Sequence, residues 1–430
     1  MNKVLIIAYA FPPVGGGGVQ RVTKFVKYLS AFNWEPIVLT VANSPVPVVD
    51  EALLREIPAG VKIFRAASLE PSYTSKKILS ESGEGGAGSK IIRFVKRVLI
   101  GVLLPDVQVL WWPSLIYNLI SLIRREKPQC IFVTAPPFSS FIPVVAVGRI
   151  LKTPVVLDFR DEWSFSREQL ENASKGMIAR GLDHCFEKYV VSKCTCITTA
   201  TESYLNTLAY RYRLSVGKGT VITNGFDEDD FSILQKQSEN TTSDNLTIVY
   251  SGTVWKATSL QKFIAALSEV LQTVPEVRSI LKFHLFGRVV DTELQSLKTP
   301  QLEDIIQVFG YVEHEKLIIE MNRADILLLV LSDLPGAEKI IAAKTFEYMA
   351  TGKHIFAIVP DGETKKLIVE HYSNVTFASP DDVFDIKNKI LHLIDTRGKI
   401  KQMRGENVSQ FSRKQLTGKL VDVFNKVVTM

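Results

Sequence analysis

Cysteine and histidine are scarce in this chain, which has 4 cysteines and 6 histidines among 430 residues. The cysteines form no CxxC pair, and no Cys/His group has the spacing of a metal site. These absences argue against a disulfide framework and against a zinc-binding module. We interpret the four cysteines as buried thiols of a protein in the reducing cytosol; they are Cys130, Cys185, Cys194 and Cys196.

A strong excess of charge of either sign is also lacking. The 51 basic and 45 acidic residues leave a net charge of +6, spread along the chain. That balance and the absence of any nucleic-acid motif argue against nucleic acid as a partner. An apolar content of 46% and a charged content of 22% are typical of a globular protein.

No uninterrupted apolar run reaches the ~20 residues that a membrane-spanning helix needs. Residues 129–148 carry no charge, but three prolines break them, and we predict a strand, a loop and the start of a helix. The segment from Ser89 to Leu104 alternates basic and apolar residues. It predicts either a helix that lies at the inner face of a membrane or an ordinary core helix with lysines extending to solvent. The N-terminal residues 1–13 predict a first strand and its loop, not a signal peptide.

Strand and helix patterns alternate along almost the whole chain, which is typical of parallel α/β layers. The 430 residues suit two domains, and a polar tract at 235–245 precedes a fresh strand. We predict two Rossmann-like, doubly wound domains of residues 1–225 and 226–412, facing across a cleft, with a helix at 413–430 returning to the first. The predicted strands are 4–8, 35–41, 131–134, 154–159, 196–199, 220–222, 247–251, 282–286, 306–309, 326–330 and 354–358.

The decapeptide KTFEYMATGK, residues 344–353, predicts a short helix with Gly352 as its C-cap. Lys344, Glu347 and Tyr348 would share one face, while Phe346 and its apolar neighbours pack on a sheet. The helix N-terminus suits an anion, and the carboxylate suits the vicinal hydroxyls of a phosphorylated sugar. An amphipathic helix with a solvated Lys–Glu pair explains the same residues equally well.

Four consecutive glycines, Gly15 to Gly18, follow the first predicted strand and precede a helix. Such a loop lets backbone N–H groups approach a ligand closely. A dinucleotide fingerprint is incomplete, because Gln20 stands where its third glycine belongs and no acid ends the second strand. An NAD-dependent oxidoreductase is therefore disfavoured.

Ten short motifs follow one another along nearly the whole chain, namely FPPVGGGGVQR, TAPPFSS, VVLDFRDEW, ITTATESYL, VITNGFDEDDF, VYSGTVWKATSL, HLFG, VFGYVEHEKL, ADILLLVL and AAKTFEYMATGKHIFAIVP. In order and spacing, they resemble the retaining GT-B glycosyltransferases of family four. The resemblance implies transfer of a hexose or N-acetylhexosamine from a UDP- or GDP-linked donor, with no metal and no further cofactor. The donor would bind the C-terminal domain and a glycan or lipid-linked acceptor the N-terminal one.

The resemblance also implies roles for single residues. Glu347 would bind the nucleotide ribose, and the backbone at Ala343, with Lys344, would face the diphosphate. Gly252 would belong to the donor-binding site, and Lys256 in the loop that begins there would neutralise the departing diphosphate. Gly16 and Gly17 would line the cleft near the phosphates and the acceptor.

Three departures from the family pattern affect the site. Lys339, beside Glu338, stands where a second donor-site acid is common, and Thr253 replaces a usual arginine. No histidine ends the strand VVLDF, where the family often has one. Arg160 and Asp161 follow that strand, and we predict that they contact the acceptor or a phosphate. A structural pair between these two residues, with Asp158 capping the strand, is the alternative.

The acidic run from Asp227 to Asp230 could suggest a metal site, but its place after an Asn-Gly turn favours a helix cap. The activity expected from the resemblance is cytoplasmic, in cell-surface polysaccharide assembly, with possible peripheral membrane contact through the segment from Ser89 to Leu104. Two alternatives stay open: a nucleotide-sugar epimerase of the same fold, and a catalytically silent nucleotide-sugar-binding protein.

Overall fold

The structure, a computed structural model, describes residues 1–15, 17–43, 50–70, 103–163, 177–232, 245–297 and 299–429. Gly16 and most of the predicted membrane-surface segment, residues 89–102, lie outside this part. The chain divides into two compact units. Unit 1 comprises Met1–Thr223 and Arg413–Met430, and unit 2 comprises Asn224–Ser412.

Unit 1 contains a seven-stranded parallel sheet in the order β3-β2-β1-β4-β5-β6-β7. Its strands are β1 (Asn2–Ile7), β2 (Trp34–Val41), β3 (Lys62–Ala66), β4 (Cys130–Ala135), β5 (Val155–Phe159), β6 (Cys196–Thr199) and β7 (Gly219–Val221). Its helices are α1 (Gly17–Leu29), α2 (Ala52–Arg55), α3 (Trp112–Glu126), α4 (Phe141–Ile150), α5 (Met177–Lys193), α6 (Glu202–Tyr212) and α15 (Arg413–Thr429).

Both faces of this sheet are covered, as the apolar runs of its strands require. Along β1, Leu5 and Ile7 face one apolar cluster with α3 and α4, while Val4 and Ile6 face another with α1 and α15. The C-terminal helix α15 belongs to the second cluster through Phe424, whose ring centroid lies 5.8 Å from that of Phe132. The carboxyl ends of the central strands are left at one edge, where ligands of such sheets bind.

Unit 2 contains a six-stranded parallel sheet in the order β10-β9-β8-β11-β12-β13. Its strands are β8 (Leu246–Ser251), β9 (Leu281–Phe286), β10 (Ile306–Gly310), β11 (Ile326–Val330), β12 (His354–Ile358) and β13 (Val375–Ala378). Its helices are α7 (Glu228–Phe231), α8 (Gln261–Thr273), α9 (Asp291–Leu297), α10 (His314–Arg323), α11 (Lys344–Thr351), α12 (Glu363–His371), α13 (Val383–Asp395) and α14 (Arg397–Ile400).

The predicted α/β class with two doubly wound sheets is confirmed, and every predicted strand is present within two residues at either end. Two strands were not predicted, β3 and β13, and each is the outermost strand of its sheet. The interpretation of all four cysteines as buried is wrong for Cys185, which is exposed on α5. In the described ranges, no helix is both long and apolar enough to cross a membrane.

Candidate functional site

Helix α11 carries the decapeptide that the sequence singled out. It begins at Lys344 and ends at Thr351, and Gly352 caps it with a left-handed φ of 71°, as predicted. No side chain caps its N-terminus, and Ala343, the residue before it, is exposed. The Thr345 N–H donates a hydrogen bond to the Ala342 carbonyl oxygen at 2.9 Å, while the other N–H groups of the first turn are available to a ligand anion.

Tyr348 is the residue whose predicted position was wrong. It is fully buried instead of sharing a solvent-facing side with Lys344 and Glu347. Its hydroxyl oxygen accepts a hydrogen bond from the Ser251 N–H at 2.9 Å and lies 3.1 Å from Ser251 Oγ. Burial raises the pKa of the Tyr348 phenol far above its ordinary value. The phenol thus stays neutral and fastens α11 to the carboxyl end of β8.

The Lys344 ammonium turns inward from the first turn of α11. Its Nζ lies 3.8 Å from the centroid of the Tyr250 ring, a distance typical of a cation–π contact. This nitrogen is buried and has no hydrogen-bond partner in the part of the chain that the structure describes. A buried cation is costly unless an anion compensates it. The solvated Lys344–Glu347 pair of the alternative interpretation is not formed.

Gly252 directly follows β8 and lies beside the Lys344 ammonium. Its φ of 122° is strained for any residue with a side chain, and an added Cβ would lie 3.0 Å from Lys344 Nζ. Gly287, at the end of β9, is equally constrained, because its added Cβ would lie 2.2 Å from the Gly252 carbonyl oxygen. The two glycines let the chain after β8 and the chain after β9 approach each other closely, next to the Lys344 side chain.

The substitution Gly252→Ala is therefore expected to lower both stability and anion binding. Backbone strain should cost about 1–3 kcal/mol of unfolding free energy, and the new methyl group would displace Lys344 Nζ. Gly310→Ala is the matched control, because Gly310 has a φ of 70° and nothing within 4 Å of an added Cβ. Urea unfolding and calorimetric titration with UDP measure the two effects. Equal loss of UDP affinity in both variants would contradict the role given to the Gly252 contact.

Glu347 lies three residues after Lys344 in the same helix, with 19% of its side chain exposed. Its Oε1 is 3.9 Å from His314 Nε2, and the same nitrogen is 3.2 Å from Asp230 Oδ2. His314 is the first residue of α10, and Asp230 lies in α7, so three helices contribute to this cluster. The sequence analysis assigned no role to His314, because nothing in its local pattern marks a partner 33 positions away.

Lys256 lies on the same loop as Gly252, in a one-turn 3₁₀ helix of Lys256–Thr258. The loop is held to the end of β9 by a hydrogen bond from the Val254 N–H to the Arg288 carbonyl oxygen at 2.8 Å. The Lys256 side chain is exposed, and it has no ion pair within the described ranges. Its predicted role at the leaving diphosphate stays a prediction.

In unit 1, Arg160 follows β5 and is held by backbone carbonyl oxygens. Arg160 donates hydrogen bonds to three backbone carbonyl oxygens, those of Gly18, Ala135 (3.1 Å) and Pro136 (2.9 Å). The Arg160–Asp161 ion pair of the alternative interpretation is not formed directly, although the two opposite charges influence each other's pKa. Arg160 instead joins the start of α1 to the loop after β4.

Asp161 is half-buried beside these loops, and burial raises the pKa of its carboxyl group. The roles of Arg160 and Asp161 toward an acceptor stay predictions. Gly17 is the first residue of α1, so the glycine loop leads directly into a helix, as expected.

Asp158 does not cap the end of β5 but forms a buried, bidentate ion pair with Arg21 of α1. The Arg21 Nη2 and Nε atoms lie 2.9 Å and 3.1 Å from its two carboxylate oxygens. Thr134 and Thr198, from the two flanking strands, each donate a hydrogen bond to Asp158 at 2.8 Å. This pair was missed, although an arginine in an amphipathic helix and an aspartate in an apolar strand were both visible in the sequence.

The acidic run after the Asn-Gly turn caps a helix, as the sequence favoured. Asp227 is the N-cap of α7, and its carboxylate accepts a hydrogen bond from the Asp229 N–H at 3.2 Å. Across the described residues, no group of three or more His, Cys, Asp or Glu side chains has the arrangement of a metal site.

Comparison with solved structures shows the fold. The chain is similar to Anabaena Alr3699/HepE, crystallised in complex with UDP and glucose, at 15% identity and a TM-score of 0.62, covering 99% of this chain and 100% of that one. It is similar to the sucrose-phosphate synthase tll1590 of Thermosynechococcus elongatus at 14% identity and a TM-score of 0.63, covering 100% of both chains. A Listeria monocytogenes protein described as a candidate UDP-N-acetylglucosamine 2-epimerase has 10% identity and a TM-score of 0.55, covering 99% of this chain and 96% of that one.

These neighbours define the class of fold as that of the GT-B glycosyltransferases, extended over the full chain. No protein-family model matches the sequence. No curated protein matches it either.

Proposed function

We propose that this chain is a glycosyltransferase that takes its sugar from a nucleoside-diphosphate donor bound by unit 2. The observation that carries the proposal is the buried Lys344 ammonium, which has no anionic partner among the described residues and lies at the uncapped N-terminus of α11. A cation and free N–H groups at one point suit a diphosphate. The fold neighbour Alr3699/HepE was crystallised with UDP and glucose, which supports a UDP-linked donor here as well.

The donor sugar would be a hexose or an N-acetylhexosamine, transferred with retention of its anomeric configuration. The bond from C1 to the diphosphate oxygen breaks, and a bond from C1 to the acceptor oxygen forms on the same face. The acceptor hydroxyl proton passes to the departing phosphate oxygen. Lys344, Lys256 and the N-terminus of α11 would stabilise the negative charge that develops on the diphosphate.

The acceptor would be a glycan or a lipid-linked glycan in surface polysaccharide assembly, and the protein would act in the cytoplasm, at or near the inner membrane face. This part of the proposal is supported by the family resemblance of the motifs alone. A screen of UDP-, GDP- and ADP-sugars by thermal shift identifies the base and the sugar, because a bound ligand raises the unfolding temperature.

Glu347→Gln tests the donor site directly. Loss of a carboxylate that accepts hydrogen bonds from ribose hydroxyls should weaken UDP binding about 10- to 100-fold. Glu370→Gln is the matched control, because Glu370 is an exposed glutamate on α12 in the same unit. Isothermal titration with UDP measures both. If Glu347→Gln binds UDP as tightly as the wild type, Glu347 is not part of the donor site.

A nucleotide-sugar epimerase is the second candidate, favoured by the likeness to the Listeria protein. An epimerase changes its donor without any acceptor, whereas a transferase releases nucleoside diphosphate only as sugar is transferred. Incubation of the donor with and without a glycan acceptor, analysed by NMR, separates the two activities. A silent binding protein would bind the donor and leave it unchanged in both incubations.

A further inference from the structure

The imidazole of His314 connects two carboxylates that come from different helices. Its Nε2 lies 3.2 Å from Asp230 Oδ2 and 3.9 Å from Glu347 Oε1. The exposed fractions of the three side chains are 27% for His314, 20% for Asp230 and 19% for Glu347. The cluster is thus mostly shielded from water, but one side of it remains open to a ligand.

The chemistry of this cluster favours a single orientation of the Glu347 carboxylate. Two carboxylates close together repel each other, and a histidine between them offsets that repulsion by donating a hydrogen bond or by carrying a positive charge. Among the described residues, His314 is the only basic side chain within ion-pair distance of Glu347. His314 is thus the basic side chain in the described part of the chain that can set the orientation of the Glu347 carboxylate.

The backbone supports this arrangement. His314 begins α10, with Glu313 as its extended N-cap residue, so the imidazole leaves the helix at its first position. Burial of Ile318 and Met321 fixes α10 against the same apolar cluster that contains Phe346 and Met349 of α11. The distance from His314 to Glu347 is therefore set by two packed helices.

We infer that His314 is a positioning residue that orients the Glu347 carboxylate toward the vicinal hydroxyls of the donor ribose, with Asp230 fixing the imidazole. The inference rests on the proposed function, since it assumes that a nucleoside diphosphate binds at α11. If the inference holds, the protein prefers a ribonucleotide over a nucleotide that lacks those hydroxyls, and this preference depends on His314.

The test compares UDP with 2′,3′-dideoxy-UDP by isothermal titration. Wild-type protein is expected to prefer UDP about 10- to 100-fold, the range of hydrogen bonds to a charged group. In His314→Ala, the preference should fall below about threefold, while the affinity for the dideoxy compound stays unchanged. His314→Gln, whose amide can still donate a hydrogen bond, should retain more of the preference than His314→Ala. His392→Ala is the control, because His392 is exposed on α13.

The outcomes distinguish a failure of the inference about His314 from a failure of the proposed function. Equal weakening of both ligands in His314→Ala would show a merely structural role and overturn the inference, as would an unchanged preference. Either result leaves the proposed donor site intact, provided that the wild type binds UDP. If the wild type binds neither compound, the proposed function itself fails.

Discussion

Replacing Lys344 by methionine is expected to abolish tight UDP binding and, at the same time, to stabilise the protein without ligand. The ammonium is buried against the Tyr250 ring with no hydrogen-bond partner among the described residues. Loss of a charged contact to a diphosphate should cost about 1.5–3 kcal/mol, or roughly 10- to 150-fold in the dissociation constant. An apolar side chain of similar length removes the cost of burying an uncompensated charge.

Thermal unfolding with and without UDP, together with titration calorimetry, measures the two effects. Lys366→Met is the control, since Lys366 is exposed on α12 in the same unit. It should change neither the unfolding temperature nor the affinity for UDP. An unchanged dissociation constant in Lys344→Met would remove Lys344 from the diphosphate site. Lower stability of the unliganded variant would show that the Tyr250 contact outweighs the cost of burial.

The sequence predicted the fold well wherever a strand is buried on both faces. β4 and β11 are apolar apart from Thr134, with every residue buried, and such runs have few alternatives to a central parallel strand. The missed strands β3 and β13 are edge strands, paired on one side and only partly buried. Their sequences, KIFRA and VTFA, are too short to show a clear alternation of apolar and polar residues. These segments become strands because they pair with a neighbouring strand.

The candidate site was predicted in part, for a related reason. Local pattern placed α11 and its C-cap correctly, because helix propensity and a capping glycine act within a few residues. The local pattern gave the wrong position for Tyr348, because the Tyr348 hydroxyl forms a hydrogen bond with Ser251, 97 positions away. The contacts of Lys344, of His314 and of Arg21 likewise depend on which strand ends become neighbours in the sheet, and a single sequence does not contain that information.

Breaking the Arg21–Asp158 pair should produce the largest loss of stability, confined to unit 1. Asp158→Asn leaves Arg21, of which only 1% is exposed, without its anionic partner. Removing one member of a buried ion pair costs about 3–5 kcal/mol, because the remaining charge stays buried. Urea unfolding followed by tryptophan fluorescence is a suitable measurement, since Trp34, Trp111, Trp112 and Trp163 lie in unit 1 and Trp255 in unit 2.

The pH dependence of unit 1 provides an independent check on the same pair. Burial opposes ionisation of Asp158, but the charge of Arg21 and the hydrogen bonds from Arg21, Thr198 and Thr134 outweigh it and hold the pKa below its ordinary value. A depressed carboxyl pKa contributes stability that is fully present above the unfolded-state value of about 3.9 and is lost as the pH falls through the folded-state value. The Asp158→Asn variant should lack this pH-dependent contribution to the free energy of unfolding.

The difference in unfolding free energy between wild type and Asp158→Asn should therefore be constant from pH 5 to pH 8 and shrink below about pH 4. Asp422→Asn on α15, also in unit 1, serves as the control because it removes an exposed carboxylate. A difference that stays constant down to pH 3 would show that folding does not shift the Asp158 pKa, and one that grows as the pH falls would show that Asp158 is protonated in the folded protein. In that case Arg21 would be held by its hydrogen bonds to the carbonyl oxygens of Ile222 and Thr223, at 2.8 Å and 2.7 Å.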